Sequence, residues 1–299
     1  MNTKQIARPL DILLGVDGSE HSIAAARLLC DLPLQPGSSI TALSVLAPTQ
    51  SPGKAALLTA LERVATILQS EGIEVKTGLL HGHPAEQLSD FADRHQTDLL
   101  VVGARGLRAT LGILLGGVAQ QVVEYAKWPV LVVRAPYQTL RRVLMVTDGS
   151  IYSHQAVDYL LQFPLPKFTE VRIMHVLPSL PSTAAWVQYW PAGLGDMPPM
   201  EDLDESLIRQ AKEDEKKAKP MLAEAEQRLR QAGLRVSSVL TRGDAATEII
   251  EYTQSHEIDL LVAGSRGLSQ MRGWLLGSVS RKLIHYAGCS VLVVRCAET

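Results

Sequence analysis

Two short segments of the sequence, Gly103-Ala104-Arg105-Gly106-Leu107 and Gly264-Ser265-Arg266-Gly267-Leu268, differ at a single position. Both lie inside a longer ungapped match between residues 81–134 and residues 242–295, and each copy of that match ends in Val-Leu-Val-Val-Arg. A match of this length is typical of a duplicated domain. We therefore expect one fold to occur twice in this chain.

A second ungapped match relates residues 11–46 to residues 142–177, with eleven identities in 36 positions. The offset between the copies is 131 in this block and 161 in the later one, so the second half holds 30 additional residues, which we place between about 178 and 214. Between the halves the apolar pattern lapses at a proline. The predicted domains are residues 1–137 and 138–299.

Within each half, short apolar runs alternate with longer amphipathic runs, as in a parallel sheet covered by helices on both faces. In the first half the pattern predicts strands at 12–16, 40–46, 75–80, 99–102 and 130–133. It predicts helices at 22–30, 55–70, 84–95 and 118–126. The second-half strands are expected to start at Val143, Val171, Val236, Leu260 and Val291. The predicted fold class is α/β, with two tandem Rossmann-like, doubly wound domains of five parallel strands each.

Composition restricts the function classes. Apolar residues make up 46% of the chain and charged residues 20%, as in folded globular proteins. Lys and Arg total 29 against 31 Asp and Glu, a net charge of −2, so no overall positive field favours nucleic acid as a partner. The three cysteines form no C-x-x-C pair, which favours a reducing, cytoplasmic compartment. No apolar stretch is long enough to predict a transmembrane helix.

The second half carries a glycine-rich loop followed by the start of a helix. The loop holds Gly264 and Gly267, and the helix is expected to begin at Gly277, followed by Ser278-Val279-Ser280. Glycines let a backbone approach an anion, helix starts offer N–H groups, and serine hydroxyls donate hydrogen bonds. This is the outline of a phosphate-binding site. The alternative is that the glycines only make a tight turn and that Ser278 only caps the helix.

The pattern G-x2-G-x9-G-[ST] after an apolar strand, with Asp-Gly-Ser just beyond the first strand, resembles the universal stress protein family. The resemblance extends over nearly the whole chain as a tandem pair and implies the strand order 3-2-1-4-5 in each half. It also implies an adenine nucleotide ligand, ATP, with or without Mg²⁺. It places phosphates at Gly264, Gly267, Gly277 and Ser278, with Val279 and Ser280 beside them, the ribose at Asp148, and the adenine at the backbone of Val176 and Leu177.

The first half departs from this pattern at the start of the helix. Its counterparts of the site are Asp17, Val45, Gly103, Arg105, Gly106, Gly116 and Gly117. Gly117 and Ala119 stand where the second half has serines, and each lost hydrogen bond is worth about 0.5–1.5 kcal/mol. The backbone N–H groups remain, so a weak site and a purely structural half are both open. Asp17 could equally be only the N-cap of the following helix.

Arg105 and Arg266 occupy equivalent places in the two glycine loops and could bind a phosphate through two N–H groups. The alternative is a solvated arginine on a loop. His81 and His83 lack further ligands, so no metal site is expected. No nucleophile with a paired general base stands out, so no catalytic residue is assigned.

These observations lead to one leading function and two alternatives. The leading function is a cytoplasmic stress-response protein that binds ATP and acts as a nucleotide-dependent sensor or regulator. The first alternative is an enzyme with slow ATP hydrolysis or nucleotidyl transfer. The second is a binding or scaffolding module that does not bind nucleotide.

The additional segment carries three aromatic residues, Trp186, Tyr189 and Trp190, which one turn of helix would place on one face. They either pack against their own domain or the other half, or bind a protein or lipid partner. The charged run 201–219 is expected to be a solvated helix that Pro220 starts, kinks or ends.

The final strand of each half has a special place in the resemblance. Members of the family commonly pair through this strand, which implies that residues 130–133 and 291–294 meet across a pseudo-twofold axis. The two halves would then form a pseudo-dimer within one chain, in which each last strand covers the edge of the other. A further homo-oligomer is left open.

Overall fold

The computed structural model describes residues 8–48, 53–107, 115–180, 200–267 and 276–295. The first-half strands are β1 (Asp11–Gly15), β2 (Ser39–Leu46), β3 (Val75–His81), β4 (Leu99–Gly103) and β5 (Val130–Val133). The second-half strands are β6 (Arg142–Val146), β7 (Glu170–Leu177), β8 (Arg235–Arg242), β9 (Leu260–Gly264) and β10 (Ser290–Val294). Every predicted strand is present, and its predicted bounds are correct to within one residue.

The helices of the described residues lie between these strands. They are α1 (Glu20–Asp31), α2 (Lys54–Ser70), α3 (Pro84–His95), α4 (Gly117–Tyr125), α5 (Ile151–Gln162), α6 (Met200–Gln231), α7 (Ala245–Ser255) and α8 (Ser278–Tyr286). Equivalent serines start α1 and α5: the side chain of Ser19 accepts a hydrogen bond from the N–H of Ser22, and Ser150 accepts one from Ser153. These N-caps fix where the chain turns from strand to helix.

All ten strands form one sheet, in the order β3-β2-β1-β4-β5-β10-β9-β6-β7-β8. The expected order 3-2-1-4-5 is therefore confirmed in both halves. The last strands β5 and β10 are antiparallel neighbours, with Leu292 opposite Leu131. The pseudo-dimer within the chain is thus confirmed, and neither of these strands has an open edge.

Neighbouring residues of the central strands pack on opposite faces of the sheet, because side chains alternate along a strand. Leu14 belongs to the core under α1, α2, α5 and α6, whereas Leu13 belongs to the core under α3, α4, α7 and α8. Both side chains are at most 1% exposed. Burial on both faces explains why these strands read as continuous apolar runs.

The halves differ most at α6, which has 32 residues where its counterpart α2 has 17. Pro220 lies inside α6, so the expectation that it starts or ends a helix is wrong. About half of the 30 additional residues therefore lengthen a helix that both halves share. Trp186, Tyr189 and Trp190 lie outside the described residues. In the described part of the chain, no helix combines the length and apolar character needed to cross a membrane.

Candidate functional site

The second half has a cavity of about 200 Å³ at the carboxyl ends of β6, β7 and β9. From β6 the chain leads to β7 on one side, while β9 lies on its other side, which makes this a topological switch point of the sheet. Nine of the ten residues predicted for this half line the cavity. They are Asp148, Val176, Gly264, Arg266, Gly267, Gly277, Ser278, Val279 and Ser280.

Leu177 is the tenth predicted residue, and it does not line the cavity. Its carbonyl accepts a hydrogen bond from the N–H of Gly243 at 2.9 Å. The residues of β7 that line the cavity are Met174, His175 and Val176.

The glycines of the loop are required by the packing of the protein itself. A Cβ atom on Gly264 would lie 2.8 Å from the carbonyl oxygen of Tyr152, and one on Gly267 would lie 2.6 Å from Oδ2 of Asp148. The loop is therefore pressed against the start of α5 and against a carboxylate. This packing requires glycines whether or not the loop binds a ligand, so it fits both the tight turn and the phosphate site.

The aspartate after the first strand of each half binds the turn that follows it. Oδ1 of Asp148 accepts from the N–H of Ser150, and Oδ1 of Asp17 accepts from the N–H of Ser19, both at 3.0 Å. In the first half, Oδ2 of Asp17 also accepts from the N–H of Leu107 at 3.2 Å. The alternative that Asp17 caps α1 is wrong, because Ser19 is the N-cap.

The N-terminus of α8 faces the cavity. Its N-cap is Gly277, which has no side chain to bind the first N–H groups, and Ser278 is the first helical residue. The alternative that Ser278 caps the helix is therefore wrong. The first N–H groups of any helix have no acceptor inside it and carry its positive end, so this end of α8 is suited to an anion.

Ser280 has a different role from the one expected of a phosphate donor. Its hydroxyl is buried and donates to the carbonyl oxygen of Gly264 at 2.8 Å. Ser280 thus fastens the first turn of α8 to the end of β9. The exposed hydroxyl of Ser278 is left as the side-chain donor of this turn.

Both loop arginines contact an aromatic ring on the helix after the first strand. Nη1 of Arg266 donates to the hydroxyl of Tyr152 at 3.0 Å, and its guanidinium lies 5.5 Å from the centre of that ring. Nε of Arg105 donates to Nε2 of His21 at 3.0 Å. Burial, and then the charge of Arg105, lower the pKa of His21. Neither arginine is simply solvated, so that alternative is wrong.

Several residues that line the cavity were missed by the sequence analysis. They are Val146, Thr147, Ser153, Met174, His175, Ala245, Ile249, Ala263 and Leu283. Some could have been found, because Thr147 and His175 adjoin predicted residues at strand ends. His175 binds the carbonyl oxygen of Thr147 through Nδ1 at 2.7 Å. Ala245 and Ile249 come from α7, whose place above the cavity no local pattern indicated.

The glycine loop of the first half makes the same packing contacts as that of the second half. A Cβ on Gly106 would lie 2.7 Å from Oδ2 of Asp17, which matches Gly267 and Asp148. The N–H of Gly116 donates to the carbonyl oxygen of Ala104, just as Gly277 donates to Ser265. Gly117 has open space around it.

Leu88 and Val102 pack close to Gly15 at the end of β1. A Cβ on Gly15 would lie 3.0 Å from Cδ1 of Leu88 and 3.3 Å from Cγ1 of Val102. At these three positions the second half has Val146, Ile249 and Ala263, all of which line its cavity. Val45 and Val176 are each the last but one residue of their strands, β2 and β7.

Within the described ranges, no group of three His, Cys, Asp or Glu side chains is arranged to hold a metal ion. Among the described residues that line the cavity, Asp148 is the carboxylate.

Comparisons with known proteins agree with this architecture. The family model described as Universal stress protein family matches residues 10–134 and 139–295. A universal stress protein of Mycolicibacterium smegmatis is 28% identical over 315 residues, covering 97% of this chain and 99% of that protein. The crystal structure of a universal stress protein from Archaeoglobus fulgidus has a TM-score of 0.63 at 19% identity, covering 95% of this chain and 98% of that one. A protein of unknown function from Pseudomonas aeruginosa has a TM-score of 0.64 at 16% identity, covering 99% and 95%.

Proposed function

This chain belongs to the universal stress protein family, and we propose that its second half binds ATP in the cavity beside Gly264 and Ser278. One observation carries the proposal: nine residues expected from separate parts of the sequence line a single cavity at a switch point of the sheet. They include a glycine loop, an uncapped helix start and a carboxylate, which together suit phosphates and a ribose.

The residues of the cavity fit the parts of a nucleotide. The apolar side, formed by Val176, Ala245 and Ile249, suits the adenine ring. Asp148 is an acceptor for ribose hydroxyls. The N-terminus of α8, with the Ser278 hydroxyl, suits the phosphates. The cavity is smaller than most ligand pockets, about 300–1,000 Å³, so we expect part of the phosphate chain to lie outside it, over the loop.

The first half offers a weaker version of this site. It lacks the hydroxyl of Ser278, because Gly117 stands at that position. We therefore expect ATP to bind the second half more tightly than the first. The role that we propose for the nucleotide is that of a bound regulator, which changes the conformation or the partners of the chain.

Exchanging the residues at the two helix starts tests the ATP site. Ser278→Gly gives the second half the residue of the first, and Gly117→Ser does the reverse at a position with open space. In a calorimetric titration we assign the tighter phase of ATP binding to the second half. We expect Ser278→Gly to weaken this tight ATP phase about tenfold, because a charge-assisted hydrogen bond is lost. Gly117→Ser should leave that phase unchanged.

Two outcomes would contradict the proposal. One is a wild-type chain that takes up no adenine nucleotide, and the other is a Ser278→Gly variant that binds ATP as the wild type does. The enzyme alternative stays a prediction, and slow phosphate release from excess Mg-ATP, measured over hours, would favour it.

A further inference from the structure

The two halves hold each other through a pair of equivalent arginines. Nη2 of Arg295, just after β10, donates to the carbonyl oxygens of Val123 and Glu124 at 2.7 and 3.0 Å. Nη2 of Arg134, just after β5, donates to those of Ile284 and His285 at 2.8 and 3.2 Å. Each guanidinium thus crosses the pseudo-twofold axis to the last turn of a helix in the other half. The carbonyls at a helix C-terminus carry its negative end, which favours a cation there.

Arg295 lies next to the phosphate loop of the second half. Val294 pairs with Gly264 in the sheet, and its carbonyl accepts from the N–H of Ser265 at 2.9 Å. Arg295 follows Val294, and the loop that holds Arg266 follows Gly264. Arg295 therefore begins beside that loop. Arg295 is 9% exposed, so its charge acts through protein rather than through water.

The charges of Arg295 and Arg266 oppose each other. Burial lowers the pKa of Arg295 to about 10, and the positive charge of Arg266 is the next cause of this shift. Arg266 itself lines the cavity. An anion in the cavity would relieve the repulsion between the two cations, so binding of an anion is favoured over binding of a neutral ligand.

We propose that Arg295 is a buried positioning residue of the second-half phosphate site, and that the last turn of α4 in the first half holds it there. The first half would then complete the anion site of the second half, whether or not the first half itself binds a ligand. The ligand chemistry is the polyphosphate chain of a nucleotide, and this inference rests on the proposed function. It adds to that function a cation that does not contact the ligand.

Arg134 provides a matched control. It makes the mirror-image contacts with α8, and burial likewise is the first cause that lowers its pKa. The loop on its side holds Arg105, which binds His21, and its helix starts at Gly117 instead of Ser278. Removing Arg134 therefore costs the same kind of contact between the halves without removing a charge from the second-half loop.

The test compares Arg295→Met, Arg295→Lys and Arg134→Met in the full chain, with ATP and adenosine as probes. We expect Arg295→Met to weaken the tight ATP phase by about tenfold while adenosine affinity changes less than about twofold, since adenosine carries no charge. Arg295→Lys keeps the charge and should retain most of the preference for ATP. Arg134→Met should lower the melting temperature about as much as Arg295→Met and leave both affinities unchanged.

Several results would overturn the inference. Arg295→Met could weaken ATP and adenosine equally, Arg134→Met could weaken ATP as much as Arg295→Met, or ATP binding could survive Arg295→Met intact. If Arg295→Met is too unstable to titrate, Arg295→Lys decides: a kept ATP preference at a lowered melting temperature supports the inference, and a lost preference overturns it. A wild-type chain that binds neither probe overturns the proposed function, and the inference falls with it.

Discussion

In both halves the loop after the fourth strand packs its first glycine against the start of the helix that follows the first strand. A Cβ on Gly103 would lie 2.8 Å from Cβ of His21, and one on Gly264 would lie 2.8 Å from the carbonyl oxygen of Tyr152. The second glycine meets an aspartate in each half as well. The shared glycine spacing therefore reflects a packing requirement that both halves meet, whether or not a ligand binds.

The two halves differ at the start of the helix that follows this loop. Gly117 and Ala119 of α4 are replaced in α8 by Ser278 and Ser280, of which one is exposed at the cavity and the other is buried against Gly264. The comparison teaches that the glycine spacing is common to both halves and does not by itself tell them apart. The side chains at the helix start are where the two halves differ.

The largest effect should come from the shared glycines. Gly103→Ala and Gly264→Ala each force a Cβ into backbone or side-chain atoms of a packed helix start, which costs about 1–3 kcal/mol. We expect both variants to lower the free energy of unfolding by similar amounts, measured by denaturant titration. If only Gly264→Ala lowered the free energy of unfolding, the two loops would not be equivalent. The role of Gly264 would then be tied to the ligand site.

A smaller effect should separate the two serines of α8. Ser280→Ala leaves the buried carbonyl of Gly264 without its hydroxyl donor, so we expect the free energy of unfolding to fall by about 1 kcal/mol. Ser278→Ala changes an exposed residue and should stay within about 0.5 kcal/mol of the wild type. Equal stability of the two variants would show that the hydrogen bond from Ser280 contributes nothing.

The smallest effect concerns pH and arises in the first half, where His21 stands in place of Tyr152. The pKa of His21 is lowered from 6.5 in the folded chain, chiefly by burial. The unfolded chain therefore takes up a proton at a higher pH than the folded chain. The contribution of His21 to stability is therefore fully present above about pH 6.5 and is lost as the pH falls toward its folded-state pKa.

Replacing this histidine tests the pH dependence. We expect His21→Gln to lose less stability than the wild type when the pH falls from about 7.5 to about 5.5. Denaturation midpoints at the two pH values give the comparison. His285, whose pKa burial also lowers, is unchanged in the variant and contributes equally to both curves. If the wild type and His21→Gln lose the same stability as the pH falls, the pH dependence arises from other groups.

The sequence by itself determined the duplication, the strands and half of the residues that line the cavity. Strands buried on both faces must be apolar throughout, so runs such as Leu99–Gly103 can be read without knowledge of their neighbours. Carboxyl ends of parallel strands share one edge of the sheet, which is why residues after β6, β7 and β9 could be expected together. The strand order and the ligand came with the family resemblance and not from the pattern of residues.

Only the tertiary structure decided what each polar group faces. Ser278 and Ser280 look alike in the sequence, yet Ser278 is exposed whereas Ser280 is buried and donates to the carbonyl oxygen of Gly264. Pro220 lies within α6 rather than at an end of it. Arg295 reaches carbonyls that lie 171 and 172 positions away in the chain. A local sequence pattern indicates how apolar residues repeat along the chain and which of them are buried. The partner of a hydrogen bond depends instead on which distant segment the fold brings opposite it.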